Sequence, residues 1–179
     1  MDEKLISIKE IKEKRGRLEK DIGIYKWWCD KDKIETLLNP LDKKWQEVEK
    51  MLESNGYYYC FYVGQTKNKN GFAKRIKGQH LRSTKNSTLR RSLLVLFGSE
   101  NEIDSFLSSC FVSVEKLATD KIDEKEKEQI NYYLRLLNLD DLKDTDKDFE
   151  EVRRNIVKTL KSKRQKKEQT KDGENNNNK

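Results

Sequence analysis

"FYVGQTKNKNGFAKRIKGQH" (residues 61–80) joins the most strand-like part of the chain to a basic helical pattern. Upstream, "YYYCFYVGQT" (57–66) is aromatic and β-branched, which predicts a strand. "KNKNG" reads as a loop. Next, Phe72, Ile76 and His80 recur at i, i+4 and i+8, one stripe of a helix over 72–82, with Arg75 beside it. The stretch carries five cationic side chains, the only histidine of the chain and no acidic residue. A segment so one-sided in charge suits a polyanion.

Working outward, "DIGIYKWW" (21–28) and "SSCFVSVEKL" (108–117) predict two more strands. Helices are expected over 5–20, where Leu5, Ile8, Ile11 and Leu18 are periodic, and over 41–54, where Leu41, Trp45, Val48 and Leu52 form a stripe. Pro40 marks the boundary before the second of these, and Asn55-Gly56 its end. Further helices are expected over 87–97, entered at Asn86 or Ser87, over 121–137 and over 148–162. From 163 onward the chain is low in complexity and reads as a disordered basic tail. Three strands among helices give an α/β or α+β fold, a small sheet covered by helices.

The chain has 179 residues, 34% hydrophobic and 40% charged, with a net charge of +7. It has no apolar run long enough to span a bilayer and no signal-peptide core at its start, so it reads as cytoplasmic. Cys29, Cys60 and Cys110 are odd in number and widely spaced, which suggests buried thiols in a reducing compartment rather than disulfides or zinc. Charge is segregated. Residues 54–99 hold 9 Lys and Arg with no acid, whereas residues 100–151 hold 7 against 16. Either the basic block faces a polyanion, or the two blocks neutralise each other inside the fold.

The ordered set of "GIY" (23–25), "YVG" (62–64), a basic helix with Arg75 and His80, a helix with Glu126, and then Asn138 resembles the GIY-YIG nuclease superfamily over about residues 21–139. The resemblance implies a small antiparallel three-stranded sheet flanked by helices, with residues 1–20 as an N-terminal helical extension, an insertion at about 29–56, a C-terminal helix at 140–162 and the tail at 163–179. It also implies a DNA endonuclease using Mg²⁺ or Mn²⁺ on DNA, double-stranded by expectation. Tyr25 or Tyr62 would help deprotonate the attacking water. A phenol has a pKa of about 10, which Arg75 and the metal would have to lower. Arg75 would hold the phosphate, Glu126 the metal, and Asn138 would orient the site.

The residues themselves add to this. Tyr25 shares a strand face with Gly23, and Tyr62 with Gly64, leaving room for a backbone, a phosphate or a water. Glu126 interrupts the apolar stripe Ile122, Ile130, Tyr133, Leu134 and Leu137, and a carboxylate there needs a partner, either a cation or Arg75. His80 is either a phosphate or proton-transfer group, or a core histidine. Its spacing from Arg75 is one residue longer than is common in the family. Gly64, Lys67, Lys74, Lys77, Arg82, Arg90 and Arg91 read as DNA contacts, although the last two also suit the polar end of an amphipathic helix. The 36 residues between Tyr25 and Tyr62 exceed the common family spacing. They could serve specificity, dimer contact or extra core. Two rival readings are a non-catalytic nucleic-acid-binding module of the same fold and a structural protein.

Overall fold

The computed structural model describes residues 4–13, 18, 20–82, 87–138, 151–152, 154–163 and 165. Residues 139–150, the tail beyond 165 and the candidate cap Asn86 lie outside the described residues.

The fold is α+β, built on one antiparallel sheet of order β1-β4-β2-β3. Its strands are β1 (Ile6–Ser7), β2 (Gly23–Cys29), β3 (Tyr59–Thr66) and β4 (Phe111–Lys116). The sheet thus has four strands rather than three. Ser7 caps a short helix α1 (Ile8–Lys12) through Lys9 N–H, with Glu10 closing the capping box, so the helix expected from residue 5 begins at Ile8. Ile6 and Ser7 are then extended and pair with Val112 and Phe111.

β2 is central, pairing with β3 on one side and β4 on the other. The β2–β3 register slips between Trp27 and Trp28, because Trp27 opposes Tyr62 while Trp28 opposes Cys60. The extra residue, Phe61, bulges out of alternation. Phe61 and Tyr62 consequently both join the main core with Tyr25 and Trp27, while Cys60 and Val63 pack with Trp28 on the other face.

The insert folds as α2 (Lys31–Leu38), capped by Asp30, and the single turn α3 (Trp45–Val48), extended by a 3₁₀ turn at Glu49–Met51. The longer helix expected over 41–54 is cut short there. Ile34, Leu37, Leu41, Trp45, Val48 and Leu52 are all buried in the main core, so this segment enlarges the core.

After β3 come α4 (Gly71–Ala73), which continues as a π-helix over Lys74–His80, then α5 (Thr88–Phe97) and α6 (Glu100–Ser108). Ser87 caps α5 and Ser99 caps α6. The helix α7 (Ile122–Tyr132) is shorter than the predicted span to 137. Beyond Tyr132 the backbone instead bonds to other elements, Leu134 N–H to Met51 O and Leu137 N–H to Phe61 O. Residues 154–163 are helical, with Ile156 and Leu160 buried in the main core. Among the described residues no helix is long and apolar enough to cross a membrane.

Candidate active site

The register of β2 and β3 sets the site. Tyr25 lies opposite Gly64, and two residues on, Trp27 lies opposite Tyr62, which puts the three aromatic side chains on one face. A Cβ on Gly64 would lie 2.3 Å from the Tyr25 hydroxyl oxygen, and one on Gly23 would lie 2.0 Å from the Glu115 carbonyl oxygen. The space left by both glycines is therefore filled by the protein. Gly64 makes room for Tyr25.

Above this face runs the π-helix. Its wide turn is marked by the Leu81 N–H to Ile76 carbonyl bond at 3.0 Å, an i to i−5 bond. Widening the turn returns the chain to the same side after five residues rather than four. Arg75 and His80 therefore both reach Tyr25. Arg75 Nε–H donates to the Tyr25 oxygen at 3.0 Å, and His80 Nε2 lies 2.7 Å from the same oxygen. The imidazole is fully buried, its ring centre 5.8 Å from that of Trp27 and 5.9 Å from that of Tyr62. On its far side, His80 Nδ1 lies 2.7 Å from Ser87 Oγ.

Burial dominates the electrostatics. It pushes the Tyr25 phenol up to about 12, and the charge of Glu126 adds to this, while Arg75 pulls the other way. Arg75 alone therefore does not bring Tyr25 below its ordinary value. Burial, with the Arg75 and Arg90 cations, drives His80 well below its usual value, so the ring is neutral at pH 7. Burial also works against the Arg75 charge, but Tyr25 and Tyr62 more than offset it and hold its pKa up. Arg75 Nη1 donates to Gln79 Oε1, one helical turn on. Gln79 is a site residue that sequence reasoning passed over, though its four-residue spacing from Arg75 is a visible signal.

Glu126 is half-buried on α7 between the buried Ile122 and Ile130. Asp123, one turn earlier, accepts from Gln65 Nε2 at 3.0 Å and Lys67 Nζ at 2.6 Å, which ties α7 to the end of β3. That tie carries Glu126 to where its charge is felt at Tyr25. Asn138 bonds to none of these groups. Its side chain clamps the β3 backbone, accepting from Val63 N–H at 2.9 Å and donating to Val63 O at 2.7 Å.

The basic residues divide. Arg90 is 2% exposed, bonded to Glu100, to Asp104 and to the His80 carbonyl. It is a buried strut, its guanidinium held by two half-exposed carboxylates of α6 rather than set on the open surface. Lys67 is exposed but paired with Asp123. Lys74, Arg82 and Arg91 are exposed and Lys77 is half-buried. An open cavity of about 210 Å³ beside Arg75 is lined by Thr66, Lys67, Asn68, Lys74 and Gln79.

A family model described as the GIY-YIG catalytic domain matches residues 23–166. The chain belongs to this family. No curated protein and no solved structure matches it. The GIY-YIG assignment makes this a nuclease-type domain, whose substrate is nucleic acid. The two words of the motif now have a physical meaning in this chain. The second glycine houses the first tyrosine, and the helix that follows places Arg75 and His80 on it.

Proposed function

We propose that this GIY-YIG domain is a divalent-metal-dependent DNA endonuclease that hydrolyses phosphodiester bonds in double-stranded DNA. The observation that carries the reading is the meeting of Arg75 and His80 on one buried phenol, with the Glu126 carboxylate within electrostatic reach. A purely structural core has no need to hold an arginine and a neutral histidine on one hydroxyl.

The exposed Lys74, Arg82 and Arg91, with the half-buried Lys77, form the phosphate-facing side. The cavity beside Arg75 receives the phosphodiester backbone. Arg75, fixed by Tyr25 and Gln79, faces the phosphate and offsets the charge of the pentacovalent transition state. The tyrosines orient the attacking water and handle its proton.

Among the described residues no cluster of three or more His, Cys, Asp or Glu could cage a metal. Mg²⁺ needs no such cage, since it keeps several waters and uses one or two carboxylates together with substrate phosphate. Glu126, a hard oxygen donor at the edge of the site, fits that set. Mg²⁺ or Mn²⁺ bound there supplies positive charge that screens the leaving oxygen. The three cysteines are unpaired and buried, which suits work in the reducing cytoplasm.

The test is incubation with supercoiled plasmid in Mg²⁺ or EDTA, alongside Arg75→Ala and Glu126→Ala. The expected result is metal-dependent nicking or linearisation, lost in both variants while plasmid binding persists. Binding without cleavage by the wild-type protein, on plasmid and on branched DNA, would instead establish a binding module.

A further inference from the structure

Arg75 Nε–H can only donate, so at 3.0 Å it occupies one lone pair of the Tyr25 oxygen. The Tyr25 hydroxyl has a single hydrogen, and His80 Nε2 lies 2.7 Å away. If Nε2 is bare, that hydrogen has an acceptor and both groups are satisfied. If Nε2 carries the proton, the phenol oxygen faces two N–H donors and its own hydrogen must turn elsewhere inside a fully buried site.

The other edge of the ring is held by the start of α5. Ser87 Oγ is the helix cap, accepting Arg90 N–H at 3.0 Å, and it lies 2.7 Å from His80 Nδ1 with a lone pair still free to accept. Arg90 Nη1 also donates to the His80 carbonyl at 3.3 Å. One helix start thus grips the side chain and the backbone of His80 together.

We propose that Ser87 is a positioning residue that holds His80 in its Nδ1–H tautomer, so that Nε2 accepts the Tyr25 hydroxyl proton. On the nuclease reading, a bare Nε2 anchors the Tyr25 phenol by its own proton, while Arg75 holds the oxygen from the other side.

The chain has one histidine, so ¹⁵N NMR of the untagged, labelled protein reads a single imidazole. Near neutral pH, Nδ1 is expected to be protonated and Nε2 bare. Ser87→Ala should move the ring to a mixed or Nε2–H state, and Ser87→Thr should restore the Nδ1–H signal. In the plasmid assay Ser87→Ala should lower kcat about tenfold at unchanged DNA affinity, because a loosened ring lets the phenol shift, with recovery in Ser87→Thr. An Nε2–H ring in the wild type, or a tautomer indifferent to Ser87→Ala, overturns the assignment. Should Ser87→Ala fail to fold, the wild-type spectrum decides alone. A wild-type Nδ1–H ring in a protein that cleaves nothing upholds the tautomer and overturns the nuclease reading.

Discussion

Tyr25 and Gly64 face each other across β2 and β3, so closely that a methyl on Gly64 would stand 2.3 Å from the Tyr25 hydroxyl oxygen. The second glycine of the motif is thus a mould for the first tyrosine. Gly64→Ala should displace the phenol and with it the contacts to Arg75 and His80. A misplacement of about 1 Å costs about 100-fold in rate, so cleavage should fall by that order. Overpacking should remove about 1–3 kcal/mol of stability. Plasmid cleavage and urea melts of the variant check both, and full activity in Gly64→Ala would show that Tyr25 has room to spare.

Asn138 acts as one more strand partner for β3. Its side chain offers an acceptor and a donor to Val63, which mimics a ladder rung at 2.9 and 2.7 Å. Asn138→Ala leaves a buried N–H and C=O unpaired, at about 1–3 kcal/mol for each group. The variant should therefore melt markedly earlier. Assayed well below its melting point, it should cleave at nearly the wild-type rate. A collapse of kcat at unchanged stability would move Asn138 into the reacting centre.

Much of this was legible in the sequence, for reasons that differ by element. β2 and β3 carry dense aromatic and β-branched runs, so period and propensity agree. Ser87 announces α5 as a cap, and the helix follows directly. The meeting of Tyr25, Arg75 and His80 was visible only as a motif, since nothing local foretells a π turn. β1 escaped because two residues beside a helix carry no period, and their strand state comes from pairing with β4. The burial of Arg90 was not legible, because a cationic run looks the same whether its partners are phosphates or carboxylates further along the chain. The partners were Glu100 and Asp104, on a helix that the sequence reading had missed. Part of the basic block is therefore matched by the acidic one. Some cations neutralise α6 and α7, and others remain on the surface.

Stability should fall at both ends of the pH scale, from two neighbouring side chains. His80 is held neutral in the fold, its pKa well below the ordinary 6.5. Below that value the unfolded chain takes up a proton that the folded chain refuses, so stability drops as pH falls through and below about 6.5. Tyr25 is raised from 10.0 to about 12. Its contribution is intact below pH 10 and is lost as pH rises towards 12, since only the unfolded phenol ionises in that window. The difference corresponds to roughly 2–3 kcal/mol. Urea melts across pH 5–8 and pH 9–12 measure the two slopes. The acid slope should flatten in His80→Gln and the alkaline one in Tyr25→Phe.

The π-helix makes the final prediction. Arg75 and His80 are five residues apart and still converge on Tyr25, because Lys74–His80 is wound with i to i−5 bonds. A π turn is an α-helix carrying one extra residue. Gly78 is the natural surplus, as it is exposed and its Cβ position is 3.9 Å from the nearest side chain. Deleting Gly78 should let the segment close into an ordinary α-helix. The histidine then sits four residues after Arg75, still on the face above Tyr25, and Gln79 stays within reach of Arg75 at i+3. The deletion variant should fold, melt no lower than the parent and keep most of its cleavage. Removing a glycine from a helix favours this, since glycine costs about 1 kcal/mol there. By contrast, His80→Ala leaves the π turn but empties the position and should lose about 100-fold, because the phenol loses its anchor. Should the deletion variant fold well yet behave like His80→Ala, the wide turn itself would be what aims the imidazole, and a four-residue spacing could not substitute for it in this chain.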